Sequence, residues 1–327
     1  MIRKLGLIRA GGMDPYANLA LEEYLTFHVE EGQVILYLWQ NRNTVVIGRN
    51  QNAWAECRAE EMKRDGVLLA RRPSGGGAVY HDAGNLNFSF IARKADYSVD
   101  RQISVLLAAA ESFGIRAEKS GRNDVTVDGY KISGNAFYQS GDYCCHHGTL
   151  LLSVKKDKMA GYLNVPAEKL KAKGVASVKS RVENLSCWVP GITPDKAAAA
   201  MEQAFEQIYG QKAERLELSH QGRQEVLAGR ERFASQSWIY GKETEATFQA
   251  KGRFPWGGIE IGFRTEAGII RECRIFSDAM DENWIGRLRQ VFTDIPFGEA
   301  ELQKALAGSG GSPEALRDVE SLLRQSM

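Results

Sequence analysis

Between residues 34 and 91 the chain passes through four short apolar runs punctuated by Asn and Gly: VILYLW (34–39), TVVIG (44–48), GVLLA (66–70) and NLNFSFI (85–91). Runs of this length and composition are strands. In the last run Leu86, Phe88 and Phe90 alternate with Asn85, Asn87 and Ser89. That alternation predicts one packed face and one polar face, either wetted or turned to a polar pocket. Turns too short for crossover helices join the strands, and helices interrupt them irregularly. The expected class is therefore α+β rather than a doubly wound parallel sheet.

Helices announce themselves by period and by their ends. Ala17, Leu21, Tyr24, Leu25 and Phe27 follow the start signal Asp14-Pro15, predicting an amphipathic helix over 17–29. Ile103, Leu106, Leu107, Ala110 and Phe113 keep helical spacing up to Gly114, and Thr193-Pro194 opens a stripe of Ala197, Ala200, Met201, Ala204, Phe205 and Ile208 closed by Gly210. Beyond residue 242 the character changes. KETEATFQAK (242–251) reads as a polar connection, and GIEIGFRTEAGIIRECRIF (258–276) as two strands around a Glu-Ala-Gly turn. Two helices, within 282–292 and after Ser312-Pro313, complete a ββαα module, with GSGGS (308–312) as a turn.

A chain of 327 residues exceeds one comfortable core, so the expected division is a body over 1–242 and a smaller domain over 250–327. Forty-two basic against 41 acidic side chains leave a net charge of +1, too little for the whole molecule to act as a counter-ion for nucleic acid or a membrane. No stretch is long and apolar enough to span a bilayer, and the first residues lack a signal-peptide core, so a cytoplasmic protein is expected. The five cysteines, Cys57, Cys144, Cys145, Cys187 and Cys273, contain no Cys-x-x-Cys pair, which excludes a zinc ribbon and favours reduced thiols.

Chemistry concentrates in three stretches. In ARRPSGGGAVYHDAGNLNFSF (70–90), Ser74 and the triplet Gly75, Gly76, Gly77 let a ligand approach the main chain, whose N–H groups can surround an anion, and Arg71 and Arg72 offer forks for phosphate or carboxylate oxygens. The same residues also read as a flexible hairpin beside two solvated arginines. In GRNDVTVDGYKISGNAF (121–137) an Asp128-Gly129 turn leads to Lys131 on a strand. There Asn123-Asp124 reads either as a turn cap or as an oxygen ligand for Mg²⁺ carried by a nucleotide, and Lys131 either as an edge-strand lysine in water or as a cation aimed at phosphoryl and acyl oxygens. In HHGTLLL (146–152), adjacent His146 and His147 on an extended segment point to opposite faces and make a poor metal site.

In this order and spacing the stretches resemble the lipoate-protein ligase A family, adenylate-forming enzymes that attach lipoic acid to protein lysines. The matching residues are NLALEE (18–23), LWQN (38–41), TVVIGRNQN (44–52), Arg71-Arg72, SGGGAVYHD (74–82), GRND (121–124), KISG (131–134), HHGTLL (146–151), Lys173-Gly174, SRV (180–182) and Asn184-Leu185, and the likeness covers about residues 5 to 295. It implies the biotin and lipoate ligase fold: a class II synthetase-like mixed sheet flanked by helices, with a small C-terminal accessory domain. It also implies ATP and Mg²⁺, (R)-lipoate as substrate, and lipoyl domains of 2-oxoacid dehydrogenase E2 subunits or the glycine-cleavage H protein as acceptors. Carried over, ATP and adenylate contacts fall on Arg72, Gly75, Gly76, Gly77, Ala78, Val79, Tyr80, Asp124 and Lys131, with Asp124 a magnesium ligand and Lys131 catalytic. Lipoate contacts fall on Trp39, Arg72, Ser74, Gly76, His81, Lys131 and His147.

The resemblance leaves two rivals in view. Cysteine is the nucleophile in relatives that move octanoyl groups without ATP, so Cys144 or Cys145 would serve an ATP-independent transferase. A non-catalytic protein that binds lipoyl domains would merely retain the scaffold. Finally, Lys155 to Arg181 holds eight Lys or Arg residues against Asp157 and Glu168, and the part from about 168 to 182 is expected to close over an anionic adenylate.

Overall fold

The computed structural model describes residues 2–121, 123–164, 182–240 and 246–327. The stretch expected to close over an adenylate lies outside the described residues except for Val182. Two compact units emerge: Met1–Val46 with Cys57–Arg71 and Val79–Ile239, and Ile47–Glu56 with Arg72–Ala78 and Tyr240–Met327. Two short segments of the N-terminal half, one of them carrying the glycine triplet, thus group with the C-terminal residues.

The first unit is built on an eight-stranded sheet. Its strands are β1 (Lys4–Arg9), β2 (Gln33–Trp39), β6 (Asn85–Arg93), β7 (Glu118–Ser120), β8 (Asp124–Val127), β9 (Tyr130–Ser140), β10 (Tyr143–Leu151) and β11 (Ala213–Arg215). They run in the order β11-β1-β2-β6-β10-β9-β8-β7. β1 lies parallel to β2 and β11, while the other pairs are antiparallel, so the sheet is mixed. The parallel pair needs a crossover, which the helix Pro15–His28 supplies. The antiparallel β8–β9 pair needs only Asp128 and Gly129, at φ 50° and 80°. Two successive left-handed residues give the twist a tight hairpin requires, which is why Asp-Gly stands there. A smaller sheet orders β4 (Leu68–Arg71), β3 (Thr44–Ile47) and β5 (Val79–His81) as β4-β3-β5.

Helices cover both faces of the large sheet. On one face Leu5, Leu36, Leu38, Phe88 and Phe90 meet Ile103 and Leu106 of the helix Val99–Glu111 and Met201 and Phe205 of the helix Pro194–Tyr209. The second helix begins and ends as its sequence dictates: Thr193 accepts from the Lys196 N–H, and Gly210 closes it at φ 72°. On the other face Ile35, Tyr37, Trp39 and Ile91 meet Leu19 and Leu25 of the first helix and Phe233 of the helix His220–Ala234.

One expectation about these faces needs correction, and one pair of alternatives is decided against the wetted face. In the helix Pro15–His28, Ala17, Leu21, Tyr24 and Phe27 are only half-buried, and the deepest positions include the polar Asn18, Glu22 and Thr26, spaced four apart on one side. In β6, Asn85, Asn87 and Ser89 are as buried as the apolar residues between them. Helices on both sides leave no wetted face, and the polar side chains bond to one another and to Glu22 instead.

The C-terminal residues form a sheet ordered β12 (Phe248–Phe254), β13 (Gly257–Glu266) and β14 (Ile269–Ser277), with helices Glu282–Val291, Glu299–Ala307 and Pro313–Ser326. Their core gathers Ile259, Ile261, Phe263, Ile275, Trp284, Leu288 and Val319. The module is thus three strands and three helices rather than ββαα. β12 read as a polar connection because it is an edge strand whose only buried residue is Ala250. The middle helix escaped notice because Gly298 gives it no side-chain cap and only Leu302 and Leu306 are buried.

Candidate functional site

The glycine triplet belongs to the second unit, and its own arginine organises it. Arg72 donates from Nε to Ser74 Oγ at 3.0 Å, and from Nη2 to the carbonyls of Gly75 at 2.7 Å and Gly77 at 2.9 Å. One guanidinium therefore fastens the carbonyls of the loop. The Gly76 N–H, expected to be open to an anion, donates to the Ala279 carbonyl at 3.0 Å. A Cβ on Gly75 would stand 2.4 Å from the Ala279 oxygen and 2.9 Å from that of Met280, and Gly76 sits at φ 88°. Close backbone approach demands glycine at position 75, and the left-handed backbone favours it at 76. Gly75→Ala should destabilise this unit by ~1–3 kcal/mol, since a backbone oxygen cannot swing aside. Its unfolding midpoint in urea, compared with that of wild type, measures the effect.

Arg71, in the first unit, serves a different purpose. It donates from Nε to the carbonyls of Trp238 and Ile239 at 3.1 and 2.9 Å, and Trp238 Nε1 returns a bond to the Arg71 carbonyl at 2.9 Å. Its fork ties down a helix end.

Lys131 and Asp124 meet where β8 and β9 pair, with Nζ 2.7 Å from Oδ1 and both side chains largely buried. A Cβ on Gly134 would lie 2.7 Å from that Nζ. The final glycine of KISG therefore leaves room for the ammonium to fold back over its own strand. β9 runs between β10 and β8, so Lys131 is not the edge-strand lysine its sequence suggested. Asp124 has an oxygen on an ammonium already, and among the described residues no group of three or more potential metal ligands includes it.

A second buried cluster lies on the sheet face covered by the first helix. Trp39 Nε1 donates to Ser89 Oγ at 3.0 Å, Ser89 Oγ donates to Glu22 Oε1 at 2.5 Å, and His147 Nδ1 lies 2.9 and 3.0 Å from the two Glu22 oxygens. Cys145, two residues before His147 and on the same face, brings its sulfur within 4.8 Å of the carboxylate and the imidazole. Burial, and then the Glu22 charge, push its thiol pKa well above the ordinary value. Cys144 is buried on the opposite face, with its pKa likewise raised by desolvation. Sequence reasoning assigned Trp39 and His147 but missed Glu22 and Ser89, which join them. The available signal was the polar spacing of Asn18, Glu22 and Thr26 on a helix otherwise read for its apolar stripe.

His81 is buried, with Nδ1 3.1 Å from Asn41 Nδ2 and its ring edge-on to Trp39. Val79, Tyr80 and His81 form β5, paired with β3, and the Tyr80 hydroxyl donates to Asn43 Oδ1. Among the assigned residues, the first unit holds Trp39, Val79, Tyr80, His81, Asp124, Lys131 and His147, and the second holds Arg72 and Ser74 through Ala78.

His146 faces the other way. Its Nδ1 lies 3.0 Å from Gln102 Oε1 and its Nε2 2.8 Å from Asn135 Oδ1, and burial lowers its pKa to about 3. An unfolded histidine takes up a proton near pH ~6.5, which the native one declines until about 3, so this group makes stability fall as pH is lowered through that window. Urea midpoints at about pH 7.5 and about pH 4.5 should therefore differ less in His146→Gln than in wild type.

Two family models cover most of the chain: one described as the lipoyl protein ligase A/B catalytic domain matches residues 14–206, and one described as the bacterial lipoate protein ligase C-terminus matches 243–311. The chain belongs to the lipoate-protein ligase family. Among solved structures, this ligase is similar to P. falciparum LipL1 in complex with lipoate, at 28% identity over 99% of this chain and 100% of that one, with a TM-score of 0.85. A bipartite lipoate protein ligase from Thermoplasma acidophilum, described together with its E2 lipoyl domain, matches at 25% identity over 76% of this ligase and 99% of its own chain, with a TM-score of 0.66. A lipoate-protein ligase A bound with ATP shares the fold, with a TM-score of 0.64 at 23% identity over 74% and 99% of the two chains. No helix among the described residues of the ligase is long and apolar enough to cross a membrane.

Proposed function

We propose that this ligase works in two steps, activating (R)-lipoate with MgATP and passing the lipoyl group to a lysine of an acceptor lipoyl domain. The acceptor would be that of a 2-oxoacid dehydrogenase E2 subunit or the glycine-cleavage H protein. In the first step a lipoate carboxylate oxygen attacks the α-phosphorus, the bond to pyrophosphate breaks, and lipoyl-AMP forms. In the second the acceptor amine attacks the acyl carbonyl and AMP leaves with the bonding pair. A free carboxylate is too poor an electrophile for the amine, so activation must come first.

The observation that carries this reading is the Lys131 ammonium, held by Asp124 at 2.7 Å over Gly134. A buried cation of fixed position stabilises charge that develops on α-phosphate and acyl oxygens in both steps. Adenylate contacts are assigned to Arg72, Gly75 through Tyr80, Asp124 and Lys131. Trp39, Ser74, Gly76, His81 and His147 are assigned to lipoate together with Arg72 and Lys131. The likeness to a relative solved with lipoate supports the substrate, and the likeness to one described with its E2 lipoyl domain supports the acceptor.

Burial of both candidate nucleophiles speaks against the cysteine-based transferase, because the thiolate is the reactive form and desolvation disfavours it at Cys144 and Cys145. Cys144→Ser with Cys145→Ser should keep ATP-dependent acyl transfer within ~3-fold of wild type, since the adenylate already supplies the activated acyl group. The direct test incubates the protein with lipoate, MgATP and an unmodified lipoyl domain and weighs the domain by mass spectrometry. One lipoyl adduct that requires ATP supports the reading. An adduct that forms without ATP, or a thioester on either cysteine, contradicts it.

A further inference from the structure

The structure assigns His146 as a positioning residue that acts through Asn135 and Asn123 to hold the strand bearing Asp124 in register with Lys131. This rests on the adenylating role proposed for Lys131 and adds a residue on the sheet face opposite the Trp39–His147 cluster.

The ladder between β8 and β9 is interrupted close to Asp124. Asp124 pairs with Gly134 and Val125 with Ser133, but Thr126 pairs with Lys131, so the register shifts between Val125 and Thr126. Beside that interruption, contacts outside the ladder help pin β8 against β9. Asn135 does so with three bonds. Its N–H donates to the Asn123 carbonyl at 2.8 Å, its Nδ2 donates to the same oxygen at 3.1 Å, and Asn123 Nδ2 donates to the Asn135 carbonyl at 3.1 Å. Asn123 immediately precedes Asp124.

With its Nδ2 committed to Asn123, Asn135 turns Oδ1 to His146, so the imidazole must carry its proton on Nε2 and donate across the 2.8 Å contact. Nδ1 is then an acceptor and needs a donor. Gln102 Nε2 is a buried donor with unmet bonding. Turning the Gln102 amide over supplies it: Nε2 then donates to His146 Nδ1 across the 3.0 Å contact. The result is a relay from the helix Val99–Glu111 through β10 to β9 and Asn123. The rings of Phe88, Phe90 and Phe137 surround the imidazole, with centroids 5.6, 5.8 and 4.8 Å away. That setting keeps the imidazole neutral, so it positions its neighbours and exchanges no proton with substrate.

The test measures lipoate-dependent exchange of pyrophosphate into ATP in wild type, His146→Leu, His146→Gln, Asn135→Ala and the double variant His146→Leu/Asn135→Ala. Leucine cannot donate to Asn135, whereas the glutamine amide nitrogen can take the place of Nε2. Expected is a fall in kcat of ~10-fold or more for His146→Leu and Asn135→Ala with the lipoate KM within ~2-fold, recovery to within ~3-fold of wild type for His146→Gln, and a double variant no worse than either single one. Hydrogen exchange of the 124–127 amides should rise in His146→Leu and Asn135→Ala but not in His146→Gln. Glutamine as damaging as leucine, multiplying losses in the double variant, or unchanged kcat in both single variants would overturn the assignment. Absence of lipoate-dependent exchange in wild type would instead bring down the adenylation reading, and the inference with it.

Discussion

Lys131→Ala is expected to cut lipoate-dependent pyrophosphate exchange by ~10²-fold or more, the size seen when a preorganised transition-state donor is removed. The same change takes from Asp124 the cation that stands 2.7 Å away and should cost ~1–3 kcal/mol of stability. These two effects separate cleanly. Adding Asp124→Asn removes the carboxylate that lost its cation, so the double variant should regain much of the stability while exchange stays low. A folded Lys131→Ala protein with exchange near the wild-type rate would mean that Lys131 is only half of a structural ion pair.

Glu22→Ala should be the most damaging change on the other sheet face. It removes the acceptor that Ser89 and His147 share and opens a cavity beneath the first helix. The expected loss is ~2–4 kcal/mol, which lowers the melting temperature by roughly 5–15 °C for a unit of this size. If the cluster also seats the acyl chain, the lipoate KM should rise as the His147 ring and the Trp39 indole lose their anchor. Glu22→Gln preserves shape and one acceptor, and should keep most of the stability while still raising KM. Calorimetry with lipoate saturation curves on the two variants distinguishes these outcomes. An unchanged KM in both would confine the cluster to holding the helix against the sheet.

Elements whose signals act locally are legible in the amino-acid sequence. The helix Pro194–Tyr209 can be read because Thr193, Pro194 and Gly210 act within a turn of their own position. The Asp128-Gly129 hairpin can be read because both residues must adopt a left-handed backbone there. What escapes is set by contacts made far along the chain. Glu22 gains its role only when Ser89, 67 residues on, and His147, 125 residues on, are brought against it by the sheet. The glycines of the triplet look like a ligand cradle, yet the position of Gly75 is already determined by the carbonyls of Ala279 and Met280, which no local pattern foreshadows. Lys131 looks like a solvated edge residue because the strand order that puts β9 inside the sheet is a property of the whole fold.

The claim that this ligase activates its acyl substrate as an adenylate is tested most directly by exchange of labelled pyrophosphate into ATP with purified protein and no acceptor domain. Exchange should require both lipoate and Mg²⁺, persist when Cys144 and Cys145 are replaced by serine, and collapse in Lys131→Ala. No exchange with wild-type protein, together with acyl transfer to a lipoyl domain in the absence of ATP, would contradict the account.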